Sequence, residues 1–354
     1  MRIVILSDNK PGHYKQSLGI VERLPNCEAE WVTVEFRRKW RDNLLRVFMC
    51  TFGSMSLSTS LIQTLLRWSL TAEAYNALTA LRTADIILST GSSVAAVNLL
   101  LGRILGAKTA TCRRPSPLGV GNFDLAILPM FSWDGKGPKD NVCQTVGVPN
   151  RISPDTLNVK QAQLIQELNL PDAPRIGLLI GGTDRHETIT AADAEELGAI
   201  CETVATEMDA QLLVTTSRRT PIEVTAHLTS IFKHSAWCPL FIEPDIPSEL
   251  ADSYQAILAL SDLLIVTADS FTMVCEAASS GRPVIVLTLS RETVRKPKRY
   301  KVYQYMEQHA IVKQCRLDKL SQSIVDGLTL CVPNTPLQDT ETAVHAIRSL
   351  IDGS

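Results

Sequence analysis

Short apolar runs recur along this chain, and most end in small, charged or turn-forming residues. In the first half the runs at 3–7, 29–34, 85–89, 108–112 and 125–128 read as strands. Between them, 16–24 reads as a helix ended by Pro25, and an uncharged helical region extends to about residue 81. Gly91-Ser92-Ser93 opens a small-residue helix that continues to about 105. Strands alternating with helices imply a parallel sheet with right-handed crossovers.

The rhythm breaks at Pro149-Asn150-Arg151-Ile152-Ser153-Pro154 and again at Pro171-Asp172-Ala173-Pro174. The expected organisation is therefore a domain over 1–150, a linker over 151–174 and a second domain over 175–334. A C-terminal helix in 335–354 is expected to pack back on the first domain. In the second domain 175–180, 211–216, 263–267 and 284–287 read as strands, with a short one at 241–242. Helices are expected at 191–207, 254–259 and 270–280, the last closed by Gly281 and Pro283. Another begins at Thr220-Pro221-Ile222-Glu223, which fits a capping box with proline at the first helical position. The predicted fold class is α/β, two Rossmann-like domains facing across a cleft. Ligands of such sheets sit at the carboxyl ends of the strands.

Composition narrows the class. A chain of 354 residues suits two domains, and 45% hydrophobic with 20% charged residues is ordinary for a globular protein. A net charge of −2 gives no general attraction to nucleic acid. The nine cysteines include no C-x-x-C pair, which suits a reducing cytosol and argues against a disulfide framework or a zinc site. The first residues form a strand-length run leading into a turn, so no signal peptide is expected. Residues 47–66 carry no charge, yet nine of those twenty are Ser, Thr, Gln or Gly, too polar for a spanning helix. Arg37-Arg38-Lys39-Trp40-Arg41 and Arg67-Trp68 flank the stretch. Basic residues and tryptophans so placed suit contact of 37–68 with an anionic membrane surface, and a core helix is the alternative.

Polar clusters follow the predicted strands. After 175–180 come Gly181, Gly182, Thr183, Asp184, Arg185 and His186; after 211–216 come Ser217, Arg218 and Arg219; after 263–267 come Asp269 and Ser270. Glycines admit a close ligand or simply make a tight turn. Paired arginines offer bidentate donors to phosphate, and a serine at a helix start adds to free N–H groups. Together they describe a diphosphate pocket. Glu276 either accepts from ribose hydroxyls or is a partly exposed helix acid. Residues 291–301 are strongly basic, either a solvated loop or a phosphate contact. In the first half the candidates are Asp8, Lys10, Gly12, His13 and Gln16, with Ser92 on a neighbouring strand end. His13 is the best general base by type, and Asp8 either shares that role or orients it. Neither a P-loop, a G-x-G-x-x-G after the first strand, an H-E-x-x-H nor a G-x-S-x-G occurs. The lack of a D-x-D pair leaves no obvious ligands for a metal-held nucleotide.

Four segments carry a family resemblance: Ser7-Asp8-Asn9-Lys10-Pro11-Gly12-His13 with Gln16-Ser17; Gly181-Gly182-Thr183 with Arg185-His186; Thr216-Ser217-Arg218-Arg219-Thr220-Pro221; and Thr267-Ala268-Asp269-Ser270 with Met273 and Glu276-Ala277. They resemble the mitochondrial fission ELM1 family, whose bacterial members are regarded as candidate glycosyltransferases. Asn9 stands where that family usually has glycine. The family is similar in architecture to GT-B glycosyltransferases such as the lipid-II-forming enzyme. The resemblance implies an acceptor domain first and a nucleotide-sugar domain second. His13 then falls in the base region, with Lys10, Gly12, Gln16 and Ser92 on the acceptor side. The donor would be held by Gly181, Gly182, Thr183, Arg185, Ser217, Arg218, Arg219, Asp269, Ser270, Met273 and Glu276. It further implies metal-independent transfer, the nucleotide sugar being a co-substrate and not a cofactor. The acceptor would be a cell-envelope glycolipid or saccharide of lipopolysaccharide type, met at the inner face of the cytoplasmic membrane. Plant relatives imply another class, a non-catalytic adaptor in organelle division. A nucleotide-sugar epimerase fits less well, because no dinucleotide fingerprint is present.

Overall fold

The computed structural model describes residues 1–132, 140–168, 170–184, 187–244, 252–289, 298–330 and 334–352. Two compact units divide the chain: residues 1–151 with 338–354, and residues 152–337.

The first unit runs β1 (Arg2–Ser7), α1 (Pro11–Val21), β2 (Glu28–Thr33), α2 (Lys39–Phe52), α3 (Thr59–Ser69), α4 (Ala72–Ala80), β3 (Ile86–Thr90), α5 (Ala95–Leu105), β4 (Lys108–Cys112), β5 (Leu125–Pro129) and β6 (Val142–Thr145). The second runs α6 (Pro154–Leu168), β7 (Arg175–Leu179), α7 (Ala191–Met208), β8 (Gln211–Thr215), α8 (Ile222–Phe232), β9 (Leu240–Ile242), α9 (Ser253–Leu260), β10 (Leu263–Thr267), α10 (Phe271–Ala278), β11 (Val284–Thr288), α11 (Arg299–Gln308), β12 (Lys313–Arg316) and α12 (Leu320–Thr329). The chain then returns to the first unit as α13 (Asp339–Asp352). Residues 154–168, read from sequence as linker, form a helix of the second unit.

Each unit is built on a six-stranded parallel sheet. The orders are β2-β1-β3-β4-β5-β6 and β12-β11-β10-β7-β8-β9. Central strands are buried along their whole length, as in Ile86–Thr90 and Leu263–Thr267, because helices cover both faces. That is why their sequences open on apolar runs, Ile86-Ile87-Leu88 and Leu263-Leu264-Ile265-Val266, with buried Ser or Thr only at the carboxyl end. Strand β6 is a polar edge strand, and nothing in Val-Cys-Gln-Thr announces it.

Both orders contain one place where successive crossovers leave in opposite directions: between β1 and β3 in the first sheet, and between β7 and β10 in the second. The loops diverge there and leave a crevice at the carboxyl edge. Asn98 on α5 fixes that edge in the first unit. Its buried amide donates to Ile87 O at 3.1 Å, Ser89 Oγ at 2.8 Å and Ala110 O at 2.8 Å, tying the helix to β3 and β4.

Helix α13 packs on α1, β5 and β6 through Ala343 and Ile347. Asp339 accepts from Val146 N at 2.8 Å and Gly147 N at 2.6 Å, and Thr340 Oγ1 both accepts from Asn150 N and donates to Asn150 O at 2.9 Å. Burial pushes the Asp339 carboxyl up to about 6 although both N–H groups favour its ionised form.

The uncharged 47–66 stretch is not one helix. It breaks after Phe52 and restarts at Thr59, where Ser58 caps α3 by accepting from Leu61 N at 3.4 Å. One face of each helix is core: Leu45, Met49, Ile62 and Leu66 are buried, each stabilising by about 1.5–3 kcal/mol. The other face leaves Trp40, Leu44, Val47, Phe52, Leu61 and Trp68 exposed. Arg41 lies over both the Trp40 and Trp68 rings, 5.4 and 4.9 Å from their centroids. Among the described residues no helix is long and apolar enough to cross a membrane.

The expected capping box at Thr220 is a different device. Pro221 is the N-cap of α8 and makes no side-chain cap bond. The Thr220 hydroxyl instead donates to Gly181 O and accepts from Ser217 N at 2.9 Å, joining two strand-end loops. A true capping box stands at α7, where Thr190 and Asp193 satisfy one another. There the acid is free to turn back on the cap, whereas Thr220 is claimed by the neighbouring loop.

Candidate functional site

At the crevice between β1 and β3 the chain leaves β1 through Asp8, Asn9 and Lys10. Asn9 has φ +59°, the left-handed region, which asparagine tolerates better than other side-chain-bearing residues. That conformation explains how asparagine stands at a position suited to glycine. Helix α1 then begins at Pro11 and carries His13 back beneath the loop.

His13 is held at both ring nitrogens. Nδ1 lies 3.0 and 3.1 Å from the two Asp8 oxygens, and Nε2 lies 3.1 Å from Arg113 Nη1. Arginine can only donate, so Nε2 accepts and Nδ1–H donates to Asp8. Asp8 also receives Lys10 Nζ at 2.6 Å and Ser93 Oγ at 2.7 Å. Burial pulls the Asp8 carboxyl upward, but the His13, Lys10 and Ser93 hydrogen bonds outweigh it and hold Asp8 well below the usual carboxylate range. A carboxylate held so low is a poor proton acceptor at neutral pH and a good orienter. Gly91, at φ +96°, makes the approach possible: a Cβ there would come within 2.5 Å of His13 Cε1.

These residues line a pocket of about 660 Å³ at the carboxyl edge. Lys39, Arg46, Arg113 and Arg114 add positive charge, and Glu35 and Asp42 add negative charge. Asp42 is paired with Arg46, Nε–Oδ1 2.8 Å and Nη2–Oδ2 2.9 Å. Arg113 has φ +74°, which for a residue with a Cβ costs about 1–2 kcal/mol, and its N–H donates to Ile127 O at 2.9 Å. Of the residues expected on the acceptor side, Lys10 and Ser92 line this pocket. Gly12 and Gln16 do not; the Gln16 amide is buried and donates to Gly12 O at 2.8 Å along its own helix. Sequence reasoning missed Arg113 and Arg114. The signal was present, since Cys112-Arg113-Arg114 ends a strand as Ser217-Arg218-Arg219 follows one.

At the crevice between β7 and β10 the second unit gathers Gly181, Gly182, Thr183, Thr220, Arg219, Asp269 and Ser270. Gly181 N donates to Thr267 Oγ1 and Gly182 N to Asp269 Oδ2, both at 2.7 Å. Thr183 N donates to Arg219 O at 3.1 Å. The glycine turn is thus closed on the chain's own groups. Asp269 also accepts from Arg219 Nη2 at 3.1 Å. Burial raises the Asp269 carboxyl, opposed by Gly182, Thr267 and Arg219. Ser270 is the N-cap of α10 and makes no side-chain cap bond. Ser217 holds its own turn by accepting from Arg219 N at 3.2 Å, Arg218 is exposed, and Met273 is half-buried. The described residues of the turn enclose only about 10 Å³. Counting the described residues alone, the first unit's crevice is the larger and more basic of the two.

Two expectations are corrected here. Glu276 is only 4% exposed and lies beside the buried Tyr254, so it is not a partly exposed helix acid. One and a half turns into α10, it meets α9 at Tyr254. Of the basic 291–301 stretch, Arg299 is not a solvated loop base. It is 12% exposed, pairs with Asp184 and with Glu187 at 2.9 Å, and donates to Ala268 O at 2.9 Å. Tyr300 donates to Glu187 as well. Arg185, His186 and 291–297 lie outside the described residues.

The family described as Mitochondrial fission ELM1 matches residues 11–351. No curated protein gives a significant sequence match. Among solved structures, the UDP-GlcNAc 2-epimerase of Methanocaldococcus jannaschii is 13% identical with TM-score 0.59, covering 100% of each chain. The same protein in complex with UDP-GlcNAc and UDP matches at 13% identity and TM-score 0.54, again over 100% of each chain. A glycosyltransferase from Rickettsia africae ESF-5 is 11% identical with TM-score 0.51, covering 99% of this chain and 96% of that one. At such identities the likeness establishes the fold: two Rossmann-like units of GT-B type.

Proposed function

This chain belongs to the mitochondrial fission ELM1 family, and from that premise we propose that it transfers a sugar from a nucleotide-sugar donor to a cell-envelope glycolipid or saccharide. The observation that carries this reading is the Asp8–His13 pair, a carboxylate-oriented imidazole at the strand-order reversal of the first sheet. In the step, the acceptor O–H bond breaks and its proton passes to His13 Nε2. The oxygen bonds the donor's anomeric carbon. The bond from that carbon to the diphosphate oxygen breaks, and its electron pair leaves on the nucleoside diphosphate. Arg218, Arg219 and the N-terminus of α10 at Ser270 would stabilise the departing charge. Gly181, Gly182, Thr183 and Asp269 hold that edge in shape. The nucleotide sugar is a co-substrate, and no metal or cofactor is given a role.

An epimerase reading deserves a second place. The missing dinucleotide fingerprint does not count against it, because UDP-GlcNAc 2-epimerases share this fold. Incubation with UDP-GlcNAc separates the readings. Transfer predicts UDP release only when an acceptor is added; epimerisation predicts a second UDP-sugar and no free UDP. A nucleotide sugar that binds the native protein must also raise its melting temperature, by the equivalent of about 2.7 kcal/mol at a hundred times its Kd. A melting temperature unmoved by UDP-, GDP-, ADP- and CMP-sugars would favour the non-catalytic adaptor.

The exposed face of α2 and α3, with Trp40 and Trp68 beside Arg37, Arg38 and Arg41, would dock the protein on the cytoplasmic face of an anionic membrane where a lipid-linked acceptor is met. Replacing both Trp40 and Trp68 by serine should then weaken co-sedimentation with anionic vesicles about tenfold or more. Equal sedimentation of both proteins would remove this face from the reading.

A further inference from the structure

We propose that the first unit's pocket binds a phosphoryl group carried by the acceptor, and that Arg113 exchanges His13 for that anion, so that the base is released only when the phosphate is seated. The proposal rests on the glycosyl-transfer reading for its purpose, and on the pocket's own geometry for the site.

Arg113 stands 3.1 Å from His13 Nε2. A cation donating to that lone pair keeps the nitrogen from taking a proton, by occupying it and by repelling the charge that protonation would create. His13 therefore works as a base only after Arg113 moves. Among the described residues no carboxylate lies within ion-pair distance of Arg113, and Asp8 is already engaged by Lys10, His13 and Ser93. The guanidinium thus rests on a neutral ring, a weaker partner than an anion. The wall around it is positive: Lys10, Lys39, Arg46, Arg113 and Arg114 face three carboxylates, of which Asp42 is held by Arg46. A volume of about 660 Å³ admits a phosphorylated sugar. The left-handed backbone of Arg113, φ +74°, also fits a residue held in place for function. A doubly charged phosphoryl group suits a wall with more than one cation better than a carboxylate does. The group is borne either by a soluble sugar phosphate or by a lipid-linked phosphate.

The test uses the full-length protein. Pyrophosphate is titrated while the His13 Nε2 resonance is followed by NMR at fixed pH, with Arg113→Gly as the variant, since glycine accepts φ +74° and keeps the fold. Pyrophosphate is expected to bind saturably and to move that resonance as Arg113 leaves the nitrogen. Arg113→Gly should show the moved resonance without ligand and should bind pyrophosphate at least tenfold more weakly. Arg113→Lys should recover part of the affinity, having charge without the fork. Acetate should bind no more than weakly to either protein, and Arg219→Met, in the second unit, should leave the His13 response intact. Glucose 1-phosphate and vesicles carrying polyprenyl phosphate are then compared for the same dependence on Arg113. Either one showing it identifies the source, and neither showing it overturns the proposal. Pyrophosphate binding indifferent to Arg113 overturns it too, even where nucleotide sugars bind. Loss of nucleotide-sugar binding with the pyrophosphate response intact would instead overturn sugar transfer and leave the phosphate site standing.

Discussion

Replacing His13 by alanine is expected to lower turnover about 10²–10⁴-fold while the nucleotide sugar still raises the melting temperature as before. The first half of this expectation follows from position. Among the described residues His13 is the only imidazole lining the pocket of about 660 Å³, and its Nδ1–H is fixed on Asp8, which leaves Nε2 as the nitrogen that accepts. Asp8, held well below the usual carboxylate range by its three donors, does not substitute as base at neutral pH. The second half follows from the division of roles between the units. The residues given to the diphosphate belong to the other unit, so the donor should not notice the loss. Turnover and donor binding measured on one preparation check both halves. Unchanged turnover would remove His13 from the role, and so would lost donor binding with turnover per bound donor unchanged.

The second large effect is expected on stability. Gly182→Ala should destabilise the second unit by about 3 kcal/mol or more, at or beyond the upper end of ordinary overpacking. A Cβ on Gly182 would overlap the backbone carbonyl of Arg219, and the two loops cannot part without losing the Thr183 N–Arg219 O bond at 3.1 Å and the Gly182 N–Asp269 bond at 2.7 Å. A carbonyl pinned by these bonds cannot rotate away as a side chain would. Gly12→Ala is the matched control. Nothing lies within 4 Å of its would-be Cβ, and in the first turn of α1 alanine should be neutral or stabilising by about 0.5–1 kcal/mol. Denaturant melts of the two variants should move apart. Equal shifts would mean that the glycine turn is looser than the interlocked loops described here.

How much of this was legible can be seen in particular residues. The strands 108–112 and 263–267 were readable to the residue: Leu263-Leu264-Ile265-Val266 is an apolar run of the kind burial on both faces demands, and Lys108–Cys112 is a short β-branched stretch set off by Gly106 before it and Arg113-Arg114-Pro115 after it. Asp8 and His13 were readable as chemistry at a strand end. Arg113 was not singled out, although its residue type and place were visible, because its meeting with His13 depends on β4 lying beyond β3 in the sheet. Likewise Arg299 looked like a solvated base. Its partners Asp184 and Glu187 come from a loop more than a hundred residues earlier, so no local pattern could pair them.

What the sequence by itself determined is the alternation of elements, the family, and the residue types available at each strand end. Hydrophobic period and turn chemistry are local properties, and a chain displays them in order. Only the tertiary structure decided which strand ends meet, because strand order is set by crossovers that the sequence does not spell out. That order brought Asp8, His13, Ser93 and Arg113 to one crevice and closed Gly181-Gly182 on Thr267 and Asp269. It also turned Glu276 toward Tyr254, since the direction of a side chain on a helix is fixed by what the helix packs against.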